Sequence, residues 1–395
     1  MQKRKSEITL FSLLMCVLVI FIHVTSWTLT AMDKTSVKYL CLLFPWRLSA
    51  FVVQGFVFLS GVRLFLSKKP VAYGKFLIGR VRRIVLPYLV WVAVYYAFFI
   101  RIGWYRFSFH DLAEYVFLGT LCSHFYFVII ILQFYLLMPL WRWLLARVDA
   151  RLLCGAAVLV TLLFKLFVHF RYDDRVFPAY LCWFLLGAAV GRHYDAAVAW
   201  LKAHLLPLGA AFVVTAAADL YFTWQSQCFG KVYAWFEGLH LFYAMAAIFF
   251  CFACFAKLCE GGAPLPAFFV LCDKSSYLLY LAHVLPIYVA NDLIYRIGDM
   301  SMVEAYLFRF VFTYAATFAG CLGYTYMKEK NQGAPAKCPQ THRLKTRLTR
   351  SARISLPRTN ASAALPLSCG TASRSARPIS ATTGSRIARC SALPR

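Results

Sequence analysis

Acidic side chains are scarce in this chain. Asp and Glu together number 16 in 395 residues, and all charged residues make up 15% of it, well short of the about 25% usual for soluble domains. A polar shell able to enclose a water-soluble core cannot be built from that complement, so a soluble globular protein is excluded. The sequence also lacks a P-loop, a GxGxxG, an HExxH and a GxSxG, which leaves nucleotide hydrolysis, dinucleotide chemistry and the common hydrolase layouts without a motif. The 14 cysteines lack the paired spacing of a zinc site. Cys251 and Cys254 do form a CxxC, but they lie in an apolar run beside Phe249, Phe250 and Phe252 and read as small membrane-core residues.

What is abundant is grease: 61% of residues are hydrophobic and 17% aromatic. Runs long enough to cross about 30 Å of hydrocarbon, roughly 17–25 residues each, recur at approximately 8–31, 48–67, 84–100, 124–145, 153–169, 177–191, 205–224, 236–256, 275–295 and 303–327. Stretches such as Leu13 to Ile22 do not alternate apolar with polar, as the strands of a membrane barrel would. The expectation is an all-α polytopic bundle of about ten transmembrane helices, because a helix satisfies its own backbone polar groups in lipid. The first run follows Lys3, Arg4 and Lys5 but exceeds the about 7–15 apolar residues of a signal peptide and has no prompt cleavage pattern, so it is expected to stay as an anchor.

The second abundant feature is positive charge, 42 Lys and Arg for a net +26. On a soluble protein this would suggest nucleic acid; on a membrane bundle it reports topology. With a cytoplasmic N-terminus, 16 Lys and Arg fall in inner segments and 9 in outer loops, which predicts both termini in the cytoplasm and a multi-pass protein of the cell membrane, a bacterial inner membrane being the expected one. From Asn331 to Arg395 the composition changes: 12 Lys and Arg, no Asp or Glu, and no aromatic residue. Residues 1–330 are therefore read as a transmembrane domain carrying +14 (26 minus 12), and 331–395 as a basic, disordered tail. That tail either touches anionic headgroups or is translated out of frame. Its Asn360-Ala361-Ser362 sequon carries no meaning in the cytoplasm.

Ionisable groups inside a bilayer are expensive and are candidates for function. His23 lies two-thirds of the way through the first run, with Thr25 and Ser26 just beyond. A neutral imidazole there can take a proton from an attacking hydroxyl, or simply bond a neighbouring carbonyl. Ser60 and Gly61 close the second run and suit close helix packing. The loop after them ends in Arg80, Arg82 and Arg83, a cluster fit either to grip the phosphates of a donor or to anchor the inner face. His124, in Ser123-His124-Phe125-Tyr126-Phe127, stands at the expected outer mouth of the fourth run, where belt histidines are ordinary. His283 closes Ser275-Ser276-Tyr277-Leu278-Leu279-Tyr280-Leu281-Ala282-His283, expected a turn or two from the inner face.

Taken in order, these segments resemble the acyltransferase-3 family of integral membrane acyltransferases over about residues 5–327: His23 in the first span; Phe56, Phe58, Leu59, Ser60 and Gly61 in the second; Arg82, Arg83, Pro87 and Tyr88; His124, Tyr126, Phe127 and Pro139; Phe184 to Gly187; and Ser275, Tyr277, Tyr280 and His283. The resemblance implies transfer of an acyl group, most often acetyl from acetyl-CoA, to a hydroxyl of a cell-surface glycan, glycolipid or polysaccharide. The partners it implies are acyl-CoA, that acceptor and membrane lipid, with no permanently bound cofactor, metal or nucleic acid. It implies His23, His124 and His283 as catalytic candidates and Arg80, Arg82 and Arg83 near the donor's phosphates. The family also places an Arg eleven residues before its first-span histidine. Here Ser12 stands there, with Arg47, Arg63 or Arg82 as candidates for the missing cation. Base and arginines are expected to lie about 15–20 Å apart by the helical rise, so either the pantetheine arm threads the bundle or the acyl group is relayed. A transporter or flippase for glycan intermediates, using the intramembrane histidines and Asp219, is the competing expectation, although no inverted repeat is visible.

Overall fold

The computed structural model describes residues 5–67 and 72–333. Among them there is no strand. The helices are α1 (Ser6–Ala31), α2 (Val37–Leu48), α3 (Val52–Leu66), α4 (Tyr73–Arg80), α5 (Leu86–Arg101), α6 (Phe109–Leu118), α7 (Tyr126–Leu136), α8 (Met138–Arg147), α9 (Ala150–Phe167), α10 (Leu181–Arg192), α11 (Tyr194–Ala203), α12 (Leu205–Phe229), α13 (Phe236–Leu258), α14 (Ala267–Ala282), α15 (Val284–Ile297) and α16 (Met302–Gly333). Seven helical stretches are long and apolar enough to cross a membrane; the bent pairs α7–α8 and α14–α15 bring the number to nine, and Phe177–Arg192 is a shorter apolar helix where the sixth run was expected. The second span starts at Val37, eleven residues before its expected boundary, because α2 and α3 together make one crossing. Helix α16 continues to Gly333. The rest of the tail, its sequon, and Lys68 and Lys69 lie outside the described residues.

Helix α1 is apolar on every face, which is the pattern of a helix surrounded by others. It packs against α2, α3, α13, α14, α15 and α16, and Phe11, Met15, Ile20 and Val24 are buried along it. Leu163, Leu206, Val213 and Val214, on α9 and α12, are exposed; in a bilayer such side chains face lipid. The closest helix pair is α3 with α10. A Cβ on Gly61 would collide with the Phe184 carbonyl, one on Gly187 with the Phe58 carbonyl, and one on Gly191 with the Val62 carbonyl, so the packing role expected of Ser60-Gly61 is met by three glycines that bring two backbones together.

Ion pairs mark one end of the bundle: Lys5 with Asp195 at 3.0 Å, Lys202 with Glu260 at 2.9 Å, Lys274 with Glu329 at 2.6 Å, and Arg63 with Asp273. This is the end with the inner-segment lysines and arginines, called the basic end below. Two polar clusters lie deeper. Arg47 holds Asp219 with Nε at 2.6 Å and Nη2 at 2.9 Å, and His240 Nδ1 is 3.1 Å from the same carboxylate. Arg309 donates to Asn291 Oδ1 at 2.6 Å and to Thr28 Oγ1 at 2.9 Å. The first joins α2, α12 and α13; the second joins α16, α15 and α1.

Candidate active site

His23 comes from α1 because that helix runs unbroken through the centre. By the rise of about 1.5 Å per residue, His23 lies about 25 Å along α1, and His283 about 24 Å along α14. The two therefore sit at a similar depth. His283 is deeper than its run suggested, because α14 begins at Ala267, eight residues before the expected start of that span. It sits where α14 and α15 break by 55°. A break inside a bilayer frees backbone polar groups, which then need partners. Tyr95, fully buried on α5, supplies them: its hydroxyl donates to the Leu281 and Ala282 carbonyls at 3.1 and 3.2 Å and accepts from the Leu285 N–H at 2.8 Å.

His124 is brought in by a segment that dips into the bundle. Gly119 closes α6 at φ 63°, a conformation glycine adopts without a steric penalty. The chain then runs through Leu121, Cys122, His124 and Phe125, all buried, before α7 begins. Tyr280 donates its hydroxyl to the His124 carbonyl, and His124 Nε2 lies 3.3 Å from the Leu281 carbonyl. His124 is thus an interior residue, and its expected position at the outer mouth of a span is corrected by this descent of the chain.

The three histidines form one cluster. Ring centroids are 5.0 Å apart for His23 and His283, 4.9 Å for His124 and His283, and 6.0 Å for His23 and His124. His283 Nδ1 is 2.8 Å from the Tyr280 carbonyl, while its Nε2 and the Nδ1 of His124 are buried with no partner. Buried polar atoms are nearly always paired, so two orphaned nitrogens on rings 4.9 Å apart mark a place for a polar guest. Among the described residues no group of His, Cys, Asp and Glu side chains, these three histidines included, is arranged to hold a metal ion.

A cavity of about 220 Å³ lies on the basic-end side of this cluster, with Tyr280 in its lining and none of the three histidines. Arg63 and Arg80 stand at its mouth with Tyr135; Ser60 and Tyr277 line its middle; Tyr280 closes its inner end. The Tyr280 ring is 5.6 Å from that of His124 and 6.0 Å from that of His283. Arg80 is held over the rings of Phe76 and Tyr135, 4.9 and 5.1 Å from their centroids.

One comparison decides the family. A family model for an acyltransferase domain matches residues 7–326. The chain belongs to the acyltransferase-3 family. No curated protein and no solved structure matches it. As a member of that family, the chain is a multi-pass membrane acyltransferase.

The structure brings His23, His124 and His283 together but divides the arginine cluster of this acyltransferase. A π-helical turn, Val81–Val85, rotates the chain so that Arg80 lines the inner cavity while Arg82 and Arg83 line a separate groove. The Tyr277 hydroxyl bonds the Ile84 carbonyl of that turn at 2.9 Å and so fixes the wall between them. Of the three candidates for the missing cation, Arg47 is committed to Asp219 and Arg82 lies in the groove. Arg63, on α3 beside α1, is paired with Asp273. Asp219 lines neither cavity. Sequence reasoning missed Tyr95 and Arg309; Arg309 carried a usable signal, being an arginine inside an apolar run.

Proposed function

We propose that this acyltransferase moves an acetyl group from acetyl-CoA, presented at a cytoplasmic basic end, to a hydroxyl of a cell-surface glycan, glycolipid or polysaccharide. One observation carries the reading: a single cavity is lined by Arg63 and Arg80 and by Tyr280, whose ring is 5.6 Å from that of His124 and 6.0 Å from that of His283. At about 220 Å³ it is smaller than the about 300–1,000 Å³ of pockets that hold whole drug-sized ligands. That volume suits a slender arm such as pantetheine, with the nucleotide left outside and its phosphates on the arginines, whose forks match phosphate oxygens. That favours threading of the donor arm over relay of the acyl group.

In this reading the acceptor oxygen attacks the thioester carbonyl while His23 takes its proton. The C–O bond forms as the C–S bond breaks, and the proton passes to the departing thiolate, giving the ester and free CoA. With His283 Nδ1 and His124 Nε2 facing the Tyr280 and Leu281 carbonyls as donors, the orphaned Nε2 of His283 and Nδ1 of His124 are acceptors in the neutral rings, suited to orient the acceptor's hydroxyl or to share its proton.

The test compares O-acetylation of surface glycan in cells carrying the wild type or His23→Ala at matched protein levels. Loss of acetyl groups with glycan export unchanged is the expected result. Unchanged acetylation with altered export would replace this reading with a transporter.

A further inference from the structure

The second cavity of the bundle is a groove of about 830 Å³ between α5, α14–α15 and α16. Its two ends differ in chemistry. At the basic end stand four cations, Arg82, Arg83, Lys274 and Lys328. Lys274 is paired with Glu329 at 2.6 Å; among the described residues no ion pair is formed by Arg82, Arg83 or Lys328. Further in, the walls are Val90, Trp91 and Val94 of α5, Leu285 and Pro286 of α15, and Gly320 of α16. Leu86, Val90 and Val94 are 50%, 60% and 40% exposed, so no element among the described residues covers this face.

The length of the groove fits one leaflet. From Lys328 back to Ala316 is twelve residues of α16, about 18 Å of rise, against about 15 Å for half of a 30 Å hydrocarbon core. Scattered lysines and arginines at a membrane surface are ordinary. Four of them gathered at the mouth of a single apolar groove one leaflet deep select an amphiphile with an anionic head and hydrocarbon tails.

We propose that this groove binds an anionic glycerophospholipid of the leaflet at the basic end, its phosphate on Arg82, Arg83 and Lys328 and its acyl chains along α5, α15 and α16. The site is separate from the donor cavity, since Tyr277 walls one from the other. It is nonetheless coupled to the histidines. Leu281 and Ala282 line the groove, and their carbonyls accept from Tyr95, the Leu281 carbonyl also lying beside His124 Nε2. Acyl chains against these two residues would back the break that positions His124 and His283.

Trp91 provides a reporter. The full-length protein in detergent is titrated with phosphatidylglycerol or phosphatidylcholine brominated on the acyl chains, and tryptophan quenching is followed. The expected result is saturable quenching by phosphatidylglycerol at concentrations where phosphatidylcholine has little effect, with part of that quenching lost in Trp91→Phe. Each basic residue at an anionic surface contributes about 1 kcal/mol, about fivefold in affinity, so Arg82→Gln with Arg83→Gln is expected to weaken phosphatidylglycerol binding about 25-fold. Val90→Trp, which fills the groove without touching a charge, is expected to block it. Equal quenching by both lipids, or quenching indifferent to Trp91→Phe and to Val90→Trp, overturns the proposal. Displacement of the brominated lipid by equimolar acyl-CoA also overturns it and assigns the groove to the donor. Binding is read without turnover, so this result stands apart from the proposed reaction.

Discussion

His283 approaches His23 to 5.0 Å between ring centroids while its own Nδ1 is tied to the Tyr280 carbonyl at 2.8 Å. A ring held at one nitrogen by backbone presents the other in a fixed direction, and here that other nitrogen, Nε2, has no protein partner. Because a carbonyl can only accept, Nδ1 carries the proton, and the arrangement is that of a positioned acceptor nitrogen facing a ligand site, with the break between α14 and α15 setting the angle.

His283→Ala is therefore expected to lower acyl transfer by about 10²-fold or more, the scale of losing a positioned acid–base or oxyanion group, with little effect on protein yield. Single-turnover acyl transfer by purified protein in nanodiscs checks this. Activity within threefold of wild type would leave His283 as a packing residue.

Arg80→Gln should act on the donor and spare the chemical step. Hydrogen bonds to charged groups contribute about 1.5–3 kcal/mol, so the KM for acyl-CoA is expected to rise roughly tenfold or more while kcat is largely kept, the signature of lost uniform binding. Arg63→Gln should do the same and in addition strip Asp273 of a partner, lowering thermal stability. A fall in kcat at unchanged KM would place neither arginine at the donor.

Tyr95→Phe removes one hydroxyl and strips a partner from three buried backbone groups of the α14–α15 break, of which the Leu281 carbonyl keeps His124 Nε2 at 3.3 Å. An unsatisfied buried polar group costs about 1–3 kcal/mol. The expected outcome is a lower melting temperature together with a lower kcat, because the same carbonyls border His124 and His283. If Tyr95→Phe melts as wild type does, the hydroxyl does not brace the break.

The Arg47–Asp219 pair gives a double-mutant test. Breaking a buried pair from one side costs about 3–5 kcal/mol, whereas replacing both partners by apolar residues is often neutral. Asp219→Asn and Arg47→Met should each destabilise the protein strongly, and Arg47→Met with Asp219→Leu should recover much of the loss. Additive losses in the double variant would mean that the two charges act independently.

The spans were legible in the sequence because an apolar run of sufficient length has one stable outcome in lipid. Gly61 of α3 was legible for the same kind of reason, since it sits in an apolar run where the absence of a side chain permits close approach; its partners Gly187 and Gly191 on α10 were not, because a run's composition does not say which other helix it meets. The depths of His124 and His283 were not legible. They depend on where a chain bends or dips, and hydropathy registers only that the neighbouring residues are apolar. Nor was the division of Arg80 from Arg82 and Arg83, since one extra residue in a helical turn redirects the arginines without altering composition. Arg309, by contrast, was visible as a charge in an apolar run and passed over.

The glycine seam between α3 and α10 also bears on how a substrate gets in. Arg63, Ser60 and Phe56, all on α3, make one side of the donor cavity, and backbone contact through Gly61, Gly187 and Gly191 leaves α3 almost no room to slide or tilt against its neighbour. That wall behaves as a fixed jaw. Any widening that admits a donor must come from the opposite side, where Tyr135 of α7 and Tyr277 of α14 hang from helices that are each interrupted by a bend.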